Sequence, residues 1–216
     1  TGVSIANGTL EFATNDDGSN FTAVPADLSN TSALLLDDTD KLRFVPDLNF
    51  FGTAGTFNFR AWDQTTNAAV NAGNRVNTST NGGTTEFSSA SDGTTVTVTA
   101  VNDQPDVTFS SSTLNVNEDA GAQTVSSFAT ANSGGGTPEN SQTFTFAVTN
   151  NNNSLFSAQP AIASNGQLTF TPATNANGTA TVSVVVQDNG GTANSGVDSR
   201  TKTFSITVNP IQDAPI

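Results

Sequence analysis

Cysteine and histidine are both missing from the 216 residues. The first absence excludes a disulfide framework, so any cross-bracing must come from packing or from metal. The second removes the commonest general base and the commonest zinc or copper ligand together. Positive charge is scarce as well: six Lys and Arg stand against 19 Asp and Glu, a net charge of −13. Such a surface repels nucleic-acid phosphates and anionic lipid alike, and it attracts cations. No apolar run approaches the length of a membrane span, so direct membrane insertion is not expected.

What the chain does have is alternation and repetition. Apolar residues recur at every second position, as in Val96-Thr97-Val98 and Phe144-Thr145-Phe146, and no stretch shows helical spacing. This predicts an all-β fold. Leu42, Phe44, Pro46, Asn49, Gly52, Thr53 and Ala54 recur 126 positions later as Leu168, Phe170, Pro172, Asn175, Gly178, Thr179 and Ala180. Beyond the extra residue Gly55, Phe57, Phe59, Ala61 and Asp63 recur as Val182, Val184, Val186 and Asp188. Val96, Val98, Val101, Asp103 and Pro105 recur as Ile206, Val208, Ile211, Asp213 and Pro215. The chain is two copies of one module, and such periodicity marks an array.

The boundary is placed at Val101-Asn102-Asp103-Gln104-Pro105, because proline removes a donor and restricts the residue before it. Residues 1–103 form one module and 104–216 the other. In the second, strands are expected near Asp106–Phe109, Thr113–Val116, Thr124–Phe128, Thr143–Val148, Gln167–Thr171, Ala180–Gln187 and Lys202–Val208. Short strands between Gly, Asn and Ser clusters predict an immunoglobulin-like β-sandwich. The first module has the same second half, but nothing in it matches Asp106–Asp119, so it lacks an opening strand or receives one from elsewhere. Between Asp63 and Val96 it carries an insertion, expected to be a protruding hairpin or a long loop. No signal peptide is visible, and the chain ends in a copy of its own linker, which predicts further modules in a longer parent.

Period-two counting aims three acidic side chains toward the core side: Asp188 after Val186, Asp63 after Ala61, and Glu118 after Val116. An unpaired buried charge costs several kcal/mol, so each needs a strand end or a partner, about 3 kcal/mol or more being at stake. Basic residues are too few to serve them all, and a divalent cation fits. Calcium takes six to eight oxygen ligands, and this chain offers oxygen and nothing softer. The candidate ligands are Asn102, Asp103, Asn117, Glu118, Asp119, Asp188, Asp63 and Asp213, with those of the linker, the start of the second module and Asp188-Asn189 expected to meet at one apex. Asp106 and Asp198 are further candidates.

The run Asn102-Asp103-Gln104-Pro105, then Val116-Asn117-Glu118-Asp119-Ala120-Gly121, then Gly166–Phe170, then Val184–Gly191 ending in Asp188-Asn189-Gly190-Gly191, resembles cadherin-like repeats. More closely, both modules look like the tandem extender repeats of very large bacterial surface adhesins secreted by the type I route. The resemblance implies two cadherin-like sandwiches joined by a short linker, with calcium held between modules by Asn102, Asp103, Glu118 and Asp188. Two positions depart from it: Ala100 stands where an acidic residue is usual, and Ala131-Asn132-Ser133 lies where Asp-x-Asp is usual. The function it implies is a non-enzymatic, calcium-rigidified spacer on a bacterial cell surface, serving adhesion or biofilm, with calcium and neighbouring repeats as partners. Two other readings remain open: an extracellular filament or sheath repeat with homotypic contacts, completed by strand exchange, and a carbohydrate-binding module resting on Trp62. No phosphate loop, nucleophile elbow or metalloprotease motif suggests an enzyme.

Overall fold

The computed structural model describes residues 1–14, 19–65, 73–136 and 139–212. It is all-β: seventeen strands, with two 3₁₀ turns at Asn153–Leu155 and Ala193–Ser195, and no α-helix among the described residues. Nor is any helix long and apolar enough to cross a membrane. The chain divides into two compact units, Thr1–Ala100 and Val101–Ile216, so the Val101–Pro105 connector packs with the second.

The first unit holds β1 (Gly2–Ile5), β2 (Gly8–Ala13), β3 (Thr22–Ala23), β4 (Ala33–Leu34), β5 (Lys41–Pro46), β6 (Gly52–Phe59), β7 (Arg75–Val76) and β8 (Asp92–Val98). They make sheets ordered β1-β6-β8 and β3-β2-β5, plus the small pair β4-β7. The second unit holds β9 (Asp106–Phe109), β10 (Thr113–Asn117), β11 (Gln123–Val125), β12 (Ala129–Asn132), β13 (Phe144–Asn150), β14 (Phe156–Ile162), β15 (Leu168–Pro172), β16 (Gly178–Asp188) and β17 (Ser199–Asn209). Their sheets are β10-β17-β16-β13, β11-β15-β14 and β12-β9. A single buried cluster joins them, from Val107 and Phe128 through Leu168 and Phe170 to Val182, Val184, Val186, Ile206 and Val208, in a β-sandwich-like arrangement. Phe128 and Phe204 meet edge to face at 4.7 Å between centroids, and Phe109 stacks on Phe128 at 5.4 Å.

The repeated turn has a backbone cause. Asn49 and Asn175 sit at φ 59 and 56, and Gly52 and Gly178 at φ 104 and 138. Asn tolerates the left-handed region and Gly occupies it freely, so each Pro-x-x-Asn-x-x-Gly run turns β5 into β6 and β15 into β16 by the same route.

Two expectations are corrected. β14 was not foreseen, because Pro160 interrupts its pattern; the strand tolerates it by lying at a sheet edge and shifting register twice against β15. The insertion in the first unit does not protrude. Trp62 bridges Phe87, β7 pairs with β4, and Phe87 and Thr78 are buried, with the Thr78 amide donating to the Asn30 carbonyl at 2.7 Å.

Candidate metal centre

The long strands of the second unit fix where its acidic residues fall. β10 runs parallel to β17, Asn117 opposite Asn209, while β16 runs antiparallel to β17, Gly178 opposite Val208. Glu118, just past β10, therefore lies beside the start of β16. Asp188 is the last residue of that eleven-residue strand. At about 3.3 Å per residue the two carboxylates stand about 30 Å apart, at opposite ends of the sheet. The expected single apex is thus overturned: alternation fixes which face a side chain occupies, but strand direction fixes which end.

One end gathers the connector. Asn102 and Asp188 are 9% and 7% exposed. The Asn102 side-chain amide donates to Asp188 Oδ1 at 3.0 Å and to the Val197 carbonyl at 2.9 Å, and accepts from Gln142 Nε2 at 2.7 Å. The Gly190 amide donates to the same Asp188 Oδ1 at 2.9 Å. This explains the Asp-Asn-Gly-Gly run: a Cβ at position 190 would collide with the Asn102 amide, so only glycine lets the backbone close on the carboxylate. Glu139 joins from the loop before β13, its Oε1 accepting from the Asp103 amide at 3.1 Å. A Cβ on Gly135 would press into the Glu139 carboxylate and lie 2.8 Å from Asp103 Oδ2, so those acidic groups flank one narrow space. Buried Asp188 Oδ2, Glu139 Oε2 and Gln142 Oε1 have no hydrogen-bond partner among the described residues. Orphaned buried acceptors cost about 1–3 kcal/mol each, and a bound cation is one way to satisfy them.

The opposite end is organised around Glu118, 5% exposed. Its Oε1 accepts from the Ile211 amide at 2.9 Å and its Oε2 from Asn177 Nδ2 at 3.4 Å. Asp119, at φ 59, accepts from the Asn175 amide at 3.2 Å. Asn117 is exposed at the end of β10, and Asp213 lies outside the described residues. Glu118 thus ties the chain leaving β17 to the start of the unit, and protein donors already satisfy both of its oxygens.

Asp63 belongs to neither group. β6 ends at Phe59, so the inward phase is lost before position 63. Asp63 is exposed, and the Thr65 amide and hydroxyl, donating to Oδ1 at 2.9 and 2.7 Å, hold its carboxyl below the ordinary value. It is a turn former. Asp198 accepts from Gln187 at 3.0 Å, and Asp106 pairs with Lys202 Nζ at 2.6 Å, which holds its carboxyl below the ordinary value.

Among the described residues no three acidic side chains close on one point as a metal-holding group. The connector end instead mixes carboxylates with side-chain amides, an all-oxygen set of the kind calcium accepts. Glu139 and Gln142 escaped the sequence reading, since neither lies on an alternating strand. No protein-family model matches the chain, and no curated protein matches it.

Proposed function

We propose that the chain is a calcium-rigidified spacer, two modules of an extracellular repeat array that carries an adhesive function on a bacterial surface and performs no catalysis. The observation that carries this reading is the buried connector: Asn102 clamped to Asp188, next to three partnerless buried oxygens. Calcium held by Asp188, Glu139, Asp103 and the amide oxygens of Asn102 or Gln142 would take up those acceptors. It would tie the connector to β16 and to the loop before β13, removing hinge freedom that a short linker otherwise keeps. Glu118 and Asp119 would serve the opposite end with the chain that follows Ile211. Ligand sets at both ends suit a module whose neighbours are further modules. Extracellular sites of this kind bind with Kd about 10⁻⁴–10⁻³ M, in the range where millimolar calcium keeps them filled.

Calorimetric titration of the metal-free protein with calcium tests the reading. A saturable heat, weakened by Asp188→Asn and by Glu139→Gln and unchanged by Asp63→Asn, is expected. Asp188→Asn keeps the turn chemistry and removes one ligand charge. No heat, together with melting curves that superimpose in calcium and in chelator, would refute the proposal.

A further inference from the structure

The repeat allows each strand of the first unit to be matched to its counterpart in the second. β5, β6 and β8 correspond to β15, β16 and β17 by sequence, and β1 and β2 to β13 and β14 by pairing. Nothing in the first unit corresponds to β9, β10, β11 or β12. Two edges are left open among the described residues: β8 where β17 carries β10, and β5 where β15 carries β11. The side chains beneath are uncovered accordingly. Leu42 is 39% exposed where Leu168 is fully buried, and Phe59 is 46% exposed where Val184 is fully buried. Val3, Leu10, Leu36, Leu42, Phe57 and Phe59 line an apolar cleft of about 90 Å³ between the two sheets. β8 carries none of the devices that blunt a sheet edge: no Pro, no Lys and no bulge between Thr95 and Val98 other than the single shift opposite Ala54.

The second unit shows what kind of element fits this geometry, because Leu114 and Val116 of β10 lie opposite Ile206 and Val208, whose counterparts on β8 are Val96 and Val98. Charge then separates one occupant from another. Asp106 of β9 is held by Lys202, 2.6 Å away, with Arg200 at 3.7 Å. The first unit has Asp92 in the place of Lys202 and Ala90 in the place of Arg200. Asp92 is exposed and makes no ion pair among the described residues. A second copy of this chain, offering its own Asp106, would set two carboxylates against each other.

We propose that the first unit is a strand acceptor. Its occupant is a strand-turn-strand segment of another polypeptide that alternates apolar residues as Leu114 and Val116 do. It runs parallel to β8 and carries Lys or Arg, not Asp, at the position of Asp106. Main-chain hydrogen bonds to β8 supply affinity and the apolar cleft supplies register. The pairing with Asp92 supplies selectivity.

Two synthetic peptides test this on the intact chain: residues 105–132 as they stand, and the same peptide with Asp106→Lys. Amide exchange of β8 and calorimetry are read together at low salt. The lysine peptide is expected to slow exchange of the β8 amides that point away from β6 and to bind about fivefold more tightly than the unaltered peptide, a gap that closes at high salt. Asp92→Lys in the protein should invert the order. Absence of β8 protection by either peptide overturns the proposal, as does indifference of both peptides to the Asp92 reversal. Protection of β8 without peptide, rising with protein concentration, overturns it in favour of a second copy.

Discussion

The two units place the same sequence in different circumstances. Leu42 and Leu168, Phe44 and Phe170, Val96 and Ile206 are read from one repeat, yet the second member of each pair is buried and the first is only partly so. What differs is the company: Val107, Phe128, Leu114, Val116 and Val125 pack onto the second set and have no equivalents in the first. Burial is therefore a property of the whole sandwich, not of the residue pattern. A strand can alternate faithfully and still have nothing to alternate against.

The strongest way to break this comparison is a matched pair of truncations. Leu168→Ala should destabilise the second unit by about 3 kcal/mol, whereas Leu42→Ala should cost the first less than about 1 kcal/mol, since much of its side chain is already wet. Denaturant unfolding would report both, with Trp62 fluorescence for the first unit and resolved amide signals for the second. Equal losses would mean that the first core is as complete as the second.

Next in size is Asn102→Ala, which removes the donor to Asp188 and to Val197 and leaves a buried carboxylate less satisfied. A loss of about 2 kcal/mol is expected in the second unit and none in the first. Calcium should sharpen the contrast further. At tenfold over a millimolar Kd, mass action stabilises the binding unit by about 1.4 kcal/mol. Only the second unit's melting should rise, because Asp63, the first unit's one candidate ligand, is an exposed turn residue. A rise in both would contradict that assignment.

The smallest effect concerns acid. The folded pKa of Asp106 is depressed by Lys202, so the pair contributes stability above the ordinary carboxylate range and loses it as pH falls through the folded value. Lys202→Ala should cost under about 1 kcal/mol at neutral pH and nothing once Asp106 is protonated in both folded and unfolded chains. The first unit, with Asp92 in the matching place, should show no such acid limb.

Much of the fold was legible because the signals were local. Alternation marked β13, β16 and β17, and the repeated Asn and Gly residues marked the turns. Even the gap at the front of the first module showed in the missing counterpart of Asp106–Asp119. The candidate site was harder. Counting by twos predicted buried positions for Glu118 and Asp188, both of which are buried, but it carries no information on strand direction and so merged two opposite ends into one. For Asp63 it failed because the strand ended first. Glu139 and Gln142 sit in a Gly- and Ser-rich loop without periodicity, placed by long-range contacts to Asp103 and Asn102 that no short window contains.

The parallel ladder of β10 on β17 also bears on mechanics. The second unit begins near β9 and β10 and ends with β17, and those last two strands lie side by side in the same direction over five residue pairs, from Thr113 with Ser205 to Asn117 with Asn209. Tension applied through the two ends of the unit pulls these neighbours past each other along their length. All the ladder's hydrogen bonds then share the load and must give way together, rather than opening one by one like a zip. The first unit has no strand in that seat. Under the same pull β8 is held by β6 alone, and this unit should extend at the lower force.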